Sequence, residues 1–356
     1  MAAYTGRDAA RLSQLVYLRA SFLGPGESVA RQPPVPAGAQ TGSKRCLLEI
    51  DGEVRSRTLC LLMPAAVLQS ALAQGPSAPE DTDSAPPLAQ DRVDEVRWRS
   101  AALMVAAVGG TLAYGKMKWW QDGFTGTFET VNEGWFGADT PYGGADKLGH
   151  AMFAYTTGRL LTRGFAWAGN EPRTALKLGV STAVGTLLLV EVLDGYSKQW
   201  RFSKEDAVFD LIGGGLAWWM ETNPAVDALL DFRLQYRPST GSAGKSAYAP
   251  FSDYSGQRYL LVFKASGLPA LQQRGLWRYL EVSVGYNARG FDDPARATVP
   301  PSRHAYLGVA LNLTELLRST AFRGNATPSR TQRITETFFE FVQVPAAGAW
   351  AEREIR

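Results

Sequence analysis

The sequence predicts an α+β protein: a compact four-helix region followed by an antiparallel β meander. Two observations carry this. Between about residues 100 and 221 the apolar residues gather in runs almost free of charge, closed at their ends by polar or charged groups, as buried helices require. From Phe232 onward the period changes to two. Leu280, Val282, Val284 and Tyr286 alternate with Glu281, Ser283 and Gly285, and Leu307, Val309, Leu311 and Leu313 alternate with Gly308, Ala310 and Asn312. Alternation of that kind belongs to strands with two unlike faces. Helices first and strands after, without interleaving, define the α+β class.

Residues 1–53 show little periodicity and contain Gly24-Pro25-Gly26 and a Pro/Gly-rich stretch from Pro33 to Gly38. Val54-Arg55-Ser56-Arg57 is basic, Thr58 to Leu68 is nearly all apolar, and Ala71-Leu72-Ala73 follows. That is the order of a secretory signal peptide, which normally starts a chain. Residues 1–53 are therefore expected to be an artefactual extension, with translation beginning near Val54 and the signal occupying 54–73. Residues 74–91, rich in Pro, Ser, Ala and Asp, are expected to form a flexible tether. A helical domain over 92–225 and a β-rich domain over 226–356 complete the expected organisation.

Arg99 and Lys116 bracket the uncharged run Ser100 to Gly115. A helix of that length spans about 24 Å at 1.5 Å per residue, short of the ~20 residues a bilayer asks for. Further helices are expected over Lys147–Thr162, Arg173–Leu193 and Lys204–Glu221. Gly213-Gly214-Gly215 on the last allows close helix packing, and Pro224 limits its continuation. Strands are expected over Phe232–Tyr236, Arg258–Lys264, Trp277–Tyr286, Ala305–Leu313 and Thr337–Val344, with one more near Phe124 to Thr130. This is fewer than the eight strands a closed membrane barrel needs.

The bulk composition narrows the function classes. The net charge is +3 and no dense Lys/Arg block interleaves with aromatics, so a nucleic-acid partner is not expected. The Gly runs 108–110 and 213–215 lack the Lys-Ser/Thr that follows a phosphate loop, so no nucleotide cofactor is expected. Both cysteines, Cys46 and Cys60, lie in the first sixty residues, which removes Cys-based zinc sites and disulfides from the rest of the chain. Cys60 does not sit in the small-residue context of a lipidation site.

Polar groups stand out inside the apolar segments. Asp146 and His150 are spaced i, i+4, Glu191 and Asp194 i, i+3, and Asp206 and Asp210 i, i+4, so each pair shares a helix face. Ser203, three residues before Asp206, resembles a capping box with Asp at its fourth position. Burying such groups without partners costs several kcal/mol. Convergence of Asp146, His150, Glu191, Asp194, Ser203, Asp206 and Asp210 into one polar cluster is therefore expected.

Three roles fit that cluster. In a structural network, Asp146 caps its helix with Lys147 solvated, His150 donates to Glu191 or Asp194, and Asp206 and Asp210 bond Tyr196, Trp200 or the preceding loop. In a metal site, His150, Glu191, Asp194 and Asp206 are the ligands; one imidazole among carboxylates suits several divalent metals. In catalysis, no residue is assigned; His150 is the candidate base, with Glu191 or Asp194 orienting it. Ser203 is the available hydroxyl, with a helix cap as its other role. His304 is expected in an exposed loop. The Trp119-Trp120 and Trp218-Trp219 pairs fit either a membrane interface or a core.

Asp146-Lys147-x-Gly149-His150, Glu191-x-x-Asp194-Gly195, Ser203-x-x-Asp206 and the Gly-rich helix after Asp210 together resemble the YfiM-like family, predicted periplasmic lipoproteins carrying a domain of unknown function. The resemblance covers about residues 130–222. Phe251 to Gln257, Val284-Gly285-Tyr286, Leu311-Asn312-Leu313 and Gln343-Val344-Pro345 are similar to longer members. A weaker likeness is to VanZ-like membrane proteins, which pair Asp-Lys-x-x-His with a later Glu and Asp. The resemblance implies an envelope location and no established activity. The expected function is that of a structural or binding protein of the cell envelope, exported, periplasmic and membrane-associated, whose partner is the envelope membrane or an envelope protein. The alternative is a metal- or His-dependent hydrolase acting on an envelope lipid or glycan.

Overall fold

Where the sequence runs free of charge, the computed structural model has helices, and where it alternates, strands. The structure describes residues 87–239, 253–291 and 300–355. The expected extension, the signal peptide and most of the tether lie outside the described residues. The chain divides into two units, Met1–Glu53 and Val54–Arg356, and every described residue belongs to the second.

Helix α1 (Pro87–Lys118) begins within residues 74–91, the expected tether. A loop then carries the two-residue strand β1 (Thr130–Val131). Helices α2 (Ala145–Trp167) and α3 (Pro172–Tyr196) follow. The short β2 (Phe202–Ser203) leads straight into α4 (Lys204–Thr222). In place of the strand expected near Phe124 to Thr130 there is a single bridge, Phe124 to Ser197, and the parallel pairing of β1 with β2.

Local chemistry sets the helix ends. Gly143 and Gly144 both have positive φ, 63° and 83°, a turn that residues with a Cβ rarely make, and α2 starts from it. Glu171 caps α3 by accepting the Thr174 N–H at 3.1 Å, with Pro172 as the first helical residue, where a missing N–H costs nothing. Ser203 caps α4 by accepting the Asp206 N–H at 3.2 Å. Pro224 opens a separate short helix, α5 (Pro224–Leu229).

The α2 and α4 backbones meet at Gly213. A Cβ there would lie 2.1 Å from the Ala151 carbonyl oxygen. Among the described residues, α3 is the one helix long and apolar enough to cross a membrane. It packs against both α2 and α4, and 44% of its most apolar window is buried.

Strands β3 (Leu230–Tyr236), β4 (Gln257–Lys264), β5 (Leu280–Arg289), β6 (Ser302–Leu311) and β7 (Gly348–Ile355) form one antiparallel meander in chain order. Short helices α6 (Pro269–Gln272), α7 (Leu313–Ser319) and α8 (Arg330–Phe341) lie in the connections. Three strand expectations shift. Residues 275–279 form a 3-10 turn, so β5 starts at Leu280. Leu313 opens α7 because Asn312 accepts the Glu315 N–H at 3.0 Å and caps it. The strand expected over Thr337–Val344 is instead the end of α8. Ser329 accepts the Gln332 N–H at 3.1 Å and starts that helix, and Phe338 and Phe341 fall on helical rather than alternating spacing. The true last strand, β7, was not anticipated.

A single apolar core joins helices and sheet. Ala145, Met152 and Tyr155 of α2, Ala217 and Met220 of α4, Phe232, Tyr259 and Ala288 of the sheet, and Phe341 of α8 are all buried in it. Tyr155 meets Phe341 edge-on with ring centres 5.7 Å apart.

The helices cover only part of the sheet's apolar face, since Phe232 of the core shares a row with Leu261, Val284 and Leu307. Register places Phe263, Val282, Val309 in one row and Leu261, Val284, Leu307 in the next. Of these, Phe263, Val282, Val284, Leu307 and Val309 are exposed, as is Leu311. The opposite face carries Asp231, Arg233, Glu281 and Ser283, all buried. Arg233 crosses β4 to bond Glu281 at 2.8 and 2.9 Å and also meets Gln343 at 2.9 Å. Arg258 stacks on Tyr306, 3.7 Å from its ring centre.

Candidate functional site

Three helices and one loop bring the expected polar groups together. Asp146, Lys147 and His150 come from the first turns of α2, Glu191 and Asp194 from the end of α3, and Asp206 and Asp210 from the start of α4. Glu133 reaches in from the loop after β1. The β1–β2 pairing places this loop beside the start of α4, because Thr130 and Val131 lie opposite Phe202 and Ser203.

Lys147 is the centre. It is fully buried, and its Nζ is bonded to Glu133, lies 2.7 Å from Asp146 and 3.2 Å from Asp206. The expectation that Lys147 is solvated is therefore overturned. Its helix starts at a buried corner, and the ammonium has no other place to lie than among carboxylates. Nor does Asp146 cap α2. The N-cap position is Gly144, without a side-chain cap bond.

His150 also differs from expectation. Its Nδ1 lies 2.9 Å from Asp210 Oδ1, while Glu191 Oε1 is 3.7 Å away, too far for a hydrogen bond. Asp210 is therefore its partner, not Glu191 or Asp194. Glu191 accepts the Ser203 N–H at 3.3 Å. Asp194 stands apart, accepting the indole N–H of Trp120. Asp206 and Asp210 bond helix partners rather than Tyr196, Trp200 or the loop before them. The Ser203 hydroxyl caps α4 and donates to Glu133 at 3.4 Å. Of the tryptophan pairs, Trp120 is buried and Trp218 and Trp219 are exposed.

His304 is not in a loop. It lies buried on β6 with Nδ1 2.8 Å from Glu352.

Glu133 and the role of Lys147 escaped the sequence reading. Glu133 sits in an aperiodic loop that gives no hint of direction. Lys147 did carry one signal. The positions three and four away on either side are Gly144, Gly143, His150 and Ala151, so no acidic partner stands one turn away on its own helix.

The electrostatics follow from burial. Desolvation raises the Asp146 and Asp210 carboxyls despite Lys147 and His150 beside them. Glu191 is pushed up to about 9 by burial, against the attraction of His150 and with Asp206, Asp210 and Asp194 adding to the rise. Burial lifts Asp194 to about 6 against the bond from Trp120. Burial alone would lower His150, but Asp210, Asp206 and Glu191 together hold the imidazole well above its ordinary value. Lys147 is raised likewise, because Asp206, Asp146 and Glu133 outweigh its desolvation.

These shifts make stability depend on pH in one direction. A carboxyl raised in the folded state binds its proton more tightly there, so folding is favoured as pH falls through its folded value. A raised histidine contributes stability that is fully present below about 6.5 and lost as pH rises through its folded value. Glu191, Asp194 and His150 therefore all favour the folded state on acidification between about pH 9 and pH 5. The lowered surface carboxyls Glu171, Glu336 and Glu352 act only below their ordinary range. Thermal melts in EDTA buffer are expected to give a higher Tm at pH 5.5 than at pH 8.5, with the difference reduced in Glu191→Gln. A Tm that is flat or rises with pH would contradict this charge arrangement.

Two triads have ligand atoms within 4.8 Å of one another, Glu133/Asp146/Asp206 and His150/Glu191/Asp206. The ammonium of Lys147 lies in the first. Asp194 belongs to neither. Among the carboxylate oxygens, Asp146 Oδ1, Asp206 Oδ1, Asp210 Oδ2 and both of Glu205 are buried without a hydrogen-bond partner.

Residues 132–222 match the model of a family described as a predicted periplasmic lipoprotein (DUF2279). The matched residues hold every cluster residue from Glu133 to Asp210. The description agrees with an exported, periplasmic, membrane-associated protein of the cell envelope. No curated protein and no solved structure matches the chain.

Proposed function

We propose that this is a non-enzymatic binding protein of the cell envelope, in which the Lys147 cluster is a structural tie and the apolar face of the sheet is the working surface, seated on the envelope membrane. The observation that supports this reading is the part of the sheet's apolar face that the helices leave open, where Phe263, Val282, Val284, Leu307, Val309 and Leu311 are exposed while Arg233, Asp231 and Glu281 of the other face are buried. Apolar-out and polar-in alternation is the arrangement of strands that face lipid. An exposed apolar patch on a stable domain marks a contact surface. At the end of the strands where Leu280 pairs with Leu311, the preceding turn exposes Leu276, Trp277 and Arg274. A tryptophan beside a cation suits the headgroup layer of an anionic bilayer.

The competing reading, a metal- or His-dependent hydrolase acting on an envelope lipid or glycan, draws on the His150–Asp210 pair. A covalent route through Ser203 is disfavoured, since its hydroxyl is committed to capping α4 and to Glu133, and the reading then depends on an activated water.

Vesicle co-sedimentation tests the membrane reading. The full chain is expected to pellet with phosphatidylethanolamine/phosphatidylglycerol vesicles. Leu307→Asp with Val309→Asp is expected to reduce the partition coefficient at least ~10-fold, since two exposed aliphatic side chains together contribute more than about 1.4 kcal/mol on leaving water. Equal binding by the variant, or dimerisation without vesicle binding in the parent, would refute a lipid-facing sheet.

A further inference from the structure

The two triads that share Asp206 are not equivalent. Glu133/Asp146/Asp206 holds a cation of the chain's own, the Lys147 ammonium, 2.7 Å from Asp146 and 3.2 Å from Asp206. His150/Glu191/Asp206 has the same spacing and burial class for its two carboxylates; Lys147 reaches it through the shared Asp206 alone, and among the described residues no lysine or arginine is ion-paired with Glu191. We propose that His150, Glu191 and Asp206 bind a first-row divalent cation of the Zn2+ or Mn2+ class, so that the cluster is completed by one internal and one external cation.

The ligand chemistry supports that class. One imidazole nitrogen with two carboxylates is a borderline donor set, matched to Zn2+ and Mn2+ and poorly to Ca2+ or Mg2+, which prefer oxygen alone. Ligand atoms within 4.8 Å of one another close on an ion with bonds of about 2.0–2.2 Å by small side-chain movements.

An independent observation points the same way. Asp210 is fully buried, and its Oδ2 has no hydrogen-bond partner. Its other oxygen lies 2.9 Å from His150 Nδ1. A carboxylate that fixes a histidine ring in this way is the usual support of a metal-binding imidazole, and the free oxygen is a costly orphan unless a cation lies near it. Asp206 and Asp210 are one turn apart on α4, so both face the same volume.

The test uses the full chain, stripped with EDTA and dialysed. Isothermal titration with ZnCl2 and with MnCl2 alone is expected to show one ion per chain, and MgCl2 to bind at least ~100-fold more weakly. At a 100-fold excess of the preferred ion over its Kd, the Tm is expected to rise by at least about 5 °C. Glu191→Gln and His150→Gln, which keep size and hydrogen bonding, are expected to weaken binding at least ~30-fold. His304→Gln, at the distant histidine, is expected to leave it unchanged.

Should either cluster variant fail to fold, elemental analysis of the parent protein replaces it. One equivalent of zinc or manganese retained through dialysis and removed by EDTA supports the site. No binding in the parent below ~100 μM, or binding that survives Glu191→Gln and His150→Gln but falls in His304→Gln, overturns it. Because vesicle binding reads the sheet and titration reads α2–α4, either can fail without the other.

Discussion

Lys147→Met is expected to lower the stability of the folded chain by about 3–5 kcal/mol, the usual cost of removing one partner from a buried ion pair. The methionine fills most of the volume, so the loss is electrostatic. Glu133, Asp146 and Asp206 would be left around a site with no positive charge, and each must then take up a proton or admit water. The comparison is internal. Lys204, whose side chain is 63% exposed and lies 3.7 Å from Glu205, should lose less than about 0.5 kcal/mol on the same change. Adding Asp206→Asn to Lys147→Met should return part of the loss, since the two sites share one interaction and are not additive. Urea denaturation of the three variants checks this. A loss below about 1 kcal/mol for Lys147→Met would mean that the ammonium is not the tie described here.

The second large effect is steric. Gly213→Ala places a methyl 2.1 Å from the Ala151 carbonyl oxygen, which is backbone and cannot rotate away. Helices α2 and α4 must separate, and a loss of about 3 kcal/mol is expected even after the better helix propensity of alanine, worth ~1 kcal/mol, is counted. The neighbouring glycines grade the result. A Cβ at Gly214 would meet Val184 Cγ2 at 2.2 Å, a side chain that can turn, so about 1 kcal/mol is expected. At Gly215 nothing lies within 4 Å, and Gly215→Ala should be neutral or stabilising by up to ~1 kcal/mol. Thermal melts of the series would show the order 213, 214, 215 from most to least harmful. A uniform response would show that helix propensity, not contact, governs this segment.

The helices were legible because charge marks their limits. Ser100 to Gly115, Leu178 to Val190 and the Ser203 cap with Asp206 three residues on are local signals. The alternation in 280–286 and 305–311 was equally local. Thr337–Val344 misled because Phe, Thr and Val favour strands by composition, while the Ser329 cap that makes α8 a helix lies eight residues upstream of the expected start. The cluster divides the same way. Spacing put His150, Glu191, Asp206 and Asp210 on shared faces, and those faces do meet. It gave no pairing, so His150 was matched to Glu191 or Asp194 where Asp210 is its partner, and the Trp120 indole on Asp194 went unforeseen. Lys147 and Glu133 pair across fourteen positions through a loop, a relation fixed only by the β1–β2 register.

One detail of the sheet bears on how the molecule is made. Val342 bridges to Leu234 on the outer side of β3, and β7 pairs along β6 at the other margin. A single segment, 342–355, therefore closes the meander from both sides. While the chain is being synthesised or threaded across a membrane, the first four strands have neither border until these residues emerge. Sheet formation is thus tied to contacts between residues more than a hundred positions apart, which is the slow kind of folding. The helices, built on nearer contacts and tied at Lys147, can form ahead of it. Assembly would then run from helices to sheet, with the late segment setting the pace.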